Sequence, residues 1–227
     1  MKDIFCLTGG VLGTNTYIVP LANNECFVVD PAVDAERIAE KIASAGLRLT
    51  AILLTHGHYD HVASVRQWKE RNNAAFWVAE QEKELLSDAR ANASLMFGQP
   101  TSYPEADRYL QDGEEIELDF ELRLKIYNTP GHTKGSMCFL ILRQTDDEEA
   151  EALALITGDT LFDDSFGRTD LASGDSAEMY RSLQFLRNLL IDLPASLPVC
   201  PGHGATVSAG ELLNSAVWIF AETLVGR

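Results

Sequence analysis

Short apolar runs recur along this chain, each broken by a turn rich in Gly, Pro or Asn. Residues 4–7, 15–19 and 26–29 read as strands, separated by Gly9-Gly10 and Asn23-Asn24 and ended by Asp30-Pro31. Asp34 then caps a helix running through Ala45, with Ile38 and Ile42 one turn apart and Gly46 closing it. Residues 51–54 form a buried strand. A helix follows from Val62, with Val65 and Trp68 on one face. Residues 75–78 read as a strand and 80–91 as a helix carrying Leu85 and Leu86.

Residues 92–107 show no period but hold Met96, Phe97 and Tyr103, so an apolar lid and plain packing both fit. Residues 115–118, 122–127 and 137–142 read as strands, and the acidic run Asp146-Asp147-Glu148-Glu149 as a solvated hairpin turn. Asp175-x-x-Glu178 opens a helix with Met179, Leu183, Leu186 and Leu190 on one face. Ser208-x-x-Glu211 opens the last, with Leu212, Ala216, Val217 and Phe220 inward. Alternation of strands and helices over 227 residues fits one large α/β domain, 1–227.

Charge narrows the function. A net charge of −16 would repel nucleic-acid phosphates, so no nucleic-acid partner is expected. No apolar run reaches membrane-spanning length and no signal-type segment opens the chain, so no membrane partner and a cytoplasmic location are expected. The four cysteines are widely spaced in apolar contexts and read as small hydrophobes rather than disulfide staples. A small-molecule substrate fits best, and the oligomeric state is left open.

The candidate chemistry lies in the turns. Three of the five histidines fall in Thr55-His56-Gly57-His58-Tyr59-Asp60-His61, directly after the apolar run 51–54. The others are His132, in Thr129-Pro130-Gly131-His132, and His203, in Cys200-Pro201-Gly202-His203. Asp159 follows the run 153–156 in Thr157-Gly158-Asp159-Thr160. Four times a strand-like segment ends in a Gly-containing loop carrying a metal-binding side chain, and such loops are where rigid sheets present chemistry. The seven candidate ligands are therefore His56, His58, Asp60, His61, His132, Asp159 and His203. A catalytic zinc takes about three protein ligands. Seven exceeds one site and suits two metals sharing a carboxylate. Imidazole and carboxylate without thiolate favour zinc, with iron or manganese open.

In their order, His-x-His-x-Asp-His, Pro-Gly-His-Thr, Gly-Asp-Thr and Pro-Gly-His-Gly resemble the metallo-β-lactamase superfamily, over about residues 14–205. Gly158-Asp159-Thr160-Leu161-Phe162 and Phe166-Gly167-Arg168-Thr169-Asp170 are similar to the glyoxalase II-like thioester hydrolases and the related persulfide dioxygenases. The resemblance implies a four-layer αββα sandwich. It also implies a first metal on His56, His58 and His132, and a second on Asp60, His61 and His203, with Asp159 bridging. Only 24 residues follow His203, so the resemblance is to a short form without the C-terminal helical domain of glyoxalase II.

The implied activity is hydrolysis of hydroxyacylglutathione-type thioesters by a metal-bridging hydroxide, with Asp60 and Asp159 as the catalytic carboxylates. An iron-dependent persulfide dioxygenase, on His56, His132 and Asp159, is the alternative, and a noncatalytic metal-binding module is a third reading. Arg168 could grip a substrate carboxylate or pair with Asp170. Phe97 and Met96 are further candidates for substrate contact.

Overall fold

The computed structural model describes residues 3–72, 74–144 and 150–224, which fall in two compact units, Met1–Leu110 and Gln111–Arg227. The acidic run 146–149 lies outside the described residues.

In the first unit, β1 (Phe5–Gly9), β2 (Thr14–Pro20) and β3 (Glu25–Val29) form an antiparallel meander. α1 (Ala35–Ser44) then crosses to β4 (Arg48–Leu53), parallel to β3. α2 (Val65–Asn72) leads to β5 (Ala75–Ala79), and α3 (Lys83–Ser87) precedes β6 (Arg108–Leu110), both strands again parallel to their neighbours. The sheet order is β1-β2-β3-β4-β5-β6. Ile38, Ile42, Val65 and Trp68 are buried with Val28, Ile52 and Phe76, so the helices' apolar stripes meet the sheet in one core.

Three expectations shift here. Asp34 occupies the cap position of α1, but its side chain caps no backbone N–H. α2 starts at Val65 rather than Val62, because the Ser64 N–H and hydroxyl both donate to the Pro31 carbonyl, at 3.0 and 2.9 Å. The helix expected over 80–91 ends at Ser87, where the Asp88 carboxylate accepts the Arg90 N–H at 2.7 Å and turns the chain.

The second unit holds β7 (Glu115–Glu117), β8 (Leu122–Asn128), β9 (Met137–Arg143), β10 (Glu151–Gly158), β11 (Pro198–Pro201) and β12 (Val207–Ser208), in the order β12-β11-β10-β9-β8-β7. Among the described residues of this unit, only β10 and β11 pair in parallel, joined by α4 (Ser176–Asp192). The Asp175 carboxylate accepts from the Ala177 and Glu178 N–H groups, and Met179, Leu183, Leu186 and Leu190 are buried as their spacing predicts.

Ser208 and Glu211 form a complete capping box on α5 (Ala209–Leu213). The last helix breaks after it, and α6 (Val217–Ala221) follows out of phase. Asn214 donates back to the Gly210 carbonyl and Ser215 accepts the Val217 N–H. The break turns Trp218 and Ala221 inward and leaves Ala216 and Phe220 exposed, contrary to the continuous helix expected.

Candidate metal centre

Strand direction explains where the candidate ligands gather. In the first unit β3 and β4 run parallel and β2 runs against them. Asp30 (after β3), the histidine loop (after β4) and Thr14 (opening β2) therefore share one sheet edge. In the second unit β8 and β10 are each antiparallel to β9, and β11 is parallel to β10. The loops after β8, β10 and β11 thus carry His132, Asp159 and His203 to one edge, outside the strands' carboxyl ends.

Within the first unit the three imidazoles pack tightly. Ring centroids lie 4.9 Å apart for His56 and His58 and 4.1 Å for His56 and His61. Asp30 organises them. Its Oδ2 lies 2.9 Å from His61 Nδ1 and accepts the Thr55 hydroxyl at 2.6 Å, while its Oδ1 accepts the Thr55 N–H at 2.7 Å. A carboxylate only accepts, so His61 carries its proton on Nδ1. The Thr55 hydroxyl spends its one proton on Asp30, so it accepts from His56 Nδ1, 3.1 Å away. In the neutral rings both residues then present an Nε2 lone pair, the arrangement a metal requires. Asp30 itself is buried with φ 51°, a conformation unusual for a residue other than glycine. Thr16 braces that turn, donating to the Asp30 carbonyl at 2.7 Å. Asp60 accepts the Thr14 hydroxyl at 2.8 Å and lies 3.6 Å from His61 Nε2.

Within the second unit His132 Nδ1 lies 2.8 Å from the Arg168 carbonyl, which again sets the proton on Nδ1. Asp159 Oδ2 sits between two imidazoles, 3.5 Å from His132 Nε2 and 3.4 Å from His203 Nε2. Such donor separations suit atoms each about 2.0–2.2 Å from a common cation. The loops are tied together by Thr129 and Thr160, whose hydroxyls lie 2.9 Å apart, and by the Gly202 N–H, which donates to the Gly158 carbonyl at 2.8 Å. The donor set, its tautomers and its spacing fit divalent metal.

Two glycines of these loops make room for helices. A Cβ on Gly57 would meet Leu85 Cδ2 at 2.8 Å. At Gly131, with φ 142°, one would strike the Met179 backbone at 2.4 Å. The Gly57 N–H also donates to buried Glu82 at 2.7 Å.

Of the substrate candidates, Arg168 directs its guanidinium onto Asp170, at 2.6 and 2.8 Å, and serves the site through its carbonyl instead. Phe97 stacks on Tyr59 with centroids 4.5 Å apart and stays 43% exposed, while Met96 is 66% exposed. The Tyr59 N–H donates to the Asn92 carbonyl at 2.9 Å, so the 92–107 segment is tied to the histidine loop. Burial and the nearby Asp60 charge push the Tyr59 and Tyr103 hydroxyls up to about 12, leaving both neutral. Burial likewise pushes the Cys26 and Cys138 thiols up to about 12, so neither is a nucleophile at neutral pH. The supports missed in the sequence are Asp30, Thr55, Thr14 and the Arg168 carbonyl.

Residues 9–203 match the family described as the metallo-beta-lactamase superfamily, and the chain belongs to that superfamily. Its α/β fold, with two mixed sheets and flanking helices, is the metallo-β-lactamase fold. An uncharacterized protein of Mycobacterium tuberculosis (strain ATCC 25618 / H37Rv) is 33% identical over 88% of this chain and 90% of its own length. Hydroxyacylglutathione hydrolase GloC of Haemophilus influenzae is 31% identical over 81% of this chain and 82% of its own. Among solved structures, the BLEG-1 B3 metallo-beta-lactamase is similar at TM-score 0.78 and 28% identity, covering 92% of this chain and 95% of its own. TTHA1623 in a di-iron-bound form is similar at TM-score 0.77 and 28% identity, covering 93% and 98%. Among the described residues, no helix is long and apolar enough to cross a membrane.

Proposed function

We propose that this chain is a metal-dependent hydrolase of thioesters with a binuclear centre. In this reading His56, His58 and His132 hold one divalent cation, Asp60, His61 and His203 the other, and Asp159 serves both. The observation that carries it is Asp159 Oδ2, set 3.5 and 3.4 Å from the Nε2 atoms of His132 and His203. The naming of a 31% identical relative as a hydroxyacylglutathione hydrolase supports the substrate class.

When bound, two divalent cations supply a water-derived nucleophile at neutral pH and positive charge where an oxyanion develops. The chain's own residues hold the ligands in place. Asp30 and Thr55 fix His61 and His56, the Arg168 carbonyl fixes His132, and Thr14 fixes Asp60. The ring protons placed above are spent on Asp30, Thr55 and Arg168, so none of the three is aimed at a leaving group. A thioester suits such a site, because a thiol of pKa about 8.5 leaves without a dedicated general acid. We propose a small-molecule substrate and, from the four free cysteines, a cytoplasmic setting.

Zinc is the proposed metal. The di-iron form of TTHA1623 supports iron as a second reading of the metal. With iron on His56, His132 and Asp159, the alternative reaction is the persulfide oxidation of the dioxygenases that the 158–162 and 166–170 motifs also resemble. Thiol release from S-D-lactoylglutathione, followed beside oxygen uptake with glutathione persulfide, tests both. Thiol release without oxygen uptake is expected. Oxygen uptake without thiol release moves the assignment to the dioxygenase, and neither activity moves it to a noncatalytic module.

A further inference from the structure

A groove of about 420 Å³ opens on the first unit beside Asp60, a volume within the range of small-ligand sites. Tyr59 and Asp60 of the histidine loop line it, with Tyr103, Asp34, Arg37 and Arg66.

The two arginines are placed unlike most others in this acidic chain. Arg48, Arg71, Arg123, Arg143, Arg168 and Arg181 each pair with a carboxylate. Arg37 instead donates to the Thr8 carbonyl at 3.4 and 3.5 Å, and Arg66 to the Ser102 carbonyl at 2.5 Å. No carboxylate among the described residues stands within ion-pair distance of either. A neutral carbonyl pins a guanidinium without cancelling its charge, and leaves other N–H donors of the fork available. Both arginines also sit in the first turn of a helix, where the macrodipole is already positive and a cation is the less favourable choice. Against them stand Asp34, one negative charge to two positive, and Asp60, whose charge the proposed centre uses.

We propose that this groove receives an anionic group of the substrate, with Arg37 and Arg66 as specificity-determining residues, so that the natural thioester carries a carboxylate on the part projecting from its reacting carbonyl. This rests on the thioesterase reading above.

The test compares S-D-lactoylglutathione, which has two carboxylates, with the lactoyl thioester of N-acetylcysteamine, which has none. Replacing Arg37→Gln and Arg66→Gln together should raise KM for the charged ester about tenfold, the order expected for exposed charge-assisted hydrogen bonds. kcat and all constants for the neutral ester should hold. Arg37→Lys with Arg66→Lys should recover most of the loss, which separates lost charge from a loosened fold. Calorimetry with the non-hydrolysable thioether S-hexylglutathione gives a readout free of turnover. Wild type should bind about tenfold more tightly than the double Gln variant, with the gap shrinking at high salt. Equal effects on both esters, or equal thioether affinity for wild type and variant, would overturn the proposal. If wild type cleaves neither ester, the thioesterase reading fails, and the calorimetry still decides the groove.

Discussion

The two units supply their candidate ligands by opposite means. In the first, four come from a single loop of seven residues, in which Asp30 and the Thr55 hydroxyl hold His61 and His56 and the Thr14 hydroxyl holds Asp60. In the second, three come from three loops, each after its own strand, and His132 is held by a main-chain carbonyl. A compact loop concentrates donors in a short stretch of sequence but leaves the orientation of His61 and His56 dependent on one side chain, Asp30, directly and through Thr55. A distributed set is oriented by sheet register, which no single side-chain change removes.

The largest effect should come from the strand feeding the compact loop. Leu53 is fully buried at the end of β4, and Leu53→Ala should cost about 2–5 kcal/mol by thermal or urea unfolding. Phe97→Ala, at a side chain 43% exposed, should cost less than about 1 kcal/mol yet raise KM for a bulky thioester. If it melts as early as Leu53→Ala with unchanged kinetics, Phe97 is core and covers nothing.

Next comes the support of each half. Asp30→Ala frees both His61 and Thr55, and should weaken metal binding about 10–100-fold in competition with a chelating dye. Arg168→Ala leaves the carbonyl on His132 intact and should change metal affinity by less than about threefold. Equal losses in the two variants would erase the distinction drawn between the units.

The smallest effect concerns pH. The Arg168 guanidinium holds the exposed Asp170 carboxyl down to about 2. A carboxyl depressed on folding contributes stability above its unfolded value of about 3.9 and loses it as pH falls through about 2. An NMR titration should find the Asp170 midpoint near 2, returning toward about 3.9 in Arg168→Ala. An unchanged midpoint would show that the pair does not form in solution.

The candidate ligands were legible in the sequence because each stands in a short turn after an apolar run, and within each unit strand direction then gathers such turns at one edge of its own sheet. Their supports were not. Asp30 before Pro31 reads only as the end of a strand, and nothing in its residue type reveals φ 51° or two neighbours 25 and 31 positions away. Arg168 serves His132 through its main chain, where side-chain identity carries no signal. Gly57 and Gly131 were visible as turn residues, but the helices that approach them come from later in the chain. The break between α5 and α6 depends on Asn214 and Ser215 bonding the backbone, a local competition that apolar spacing does not register.

The central claim is that Asp159 serves two cations at once. Elemental analysis after metal loading and desalting, on wild type and Asp159→Ala side by side with thioester turnover, tests it most directly. Wild type should retain close to two divalent ions per chain, and Asp159→Ala should lose metal and turnover together, by more than the ~100-fold typical of removing an outer partner. An Asp159→Ala protein that keeps two tightly bound ions and full turnover would contradict the assignment.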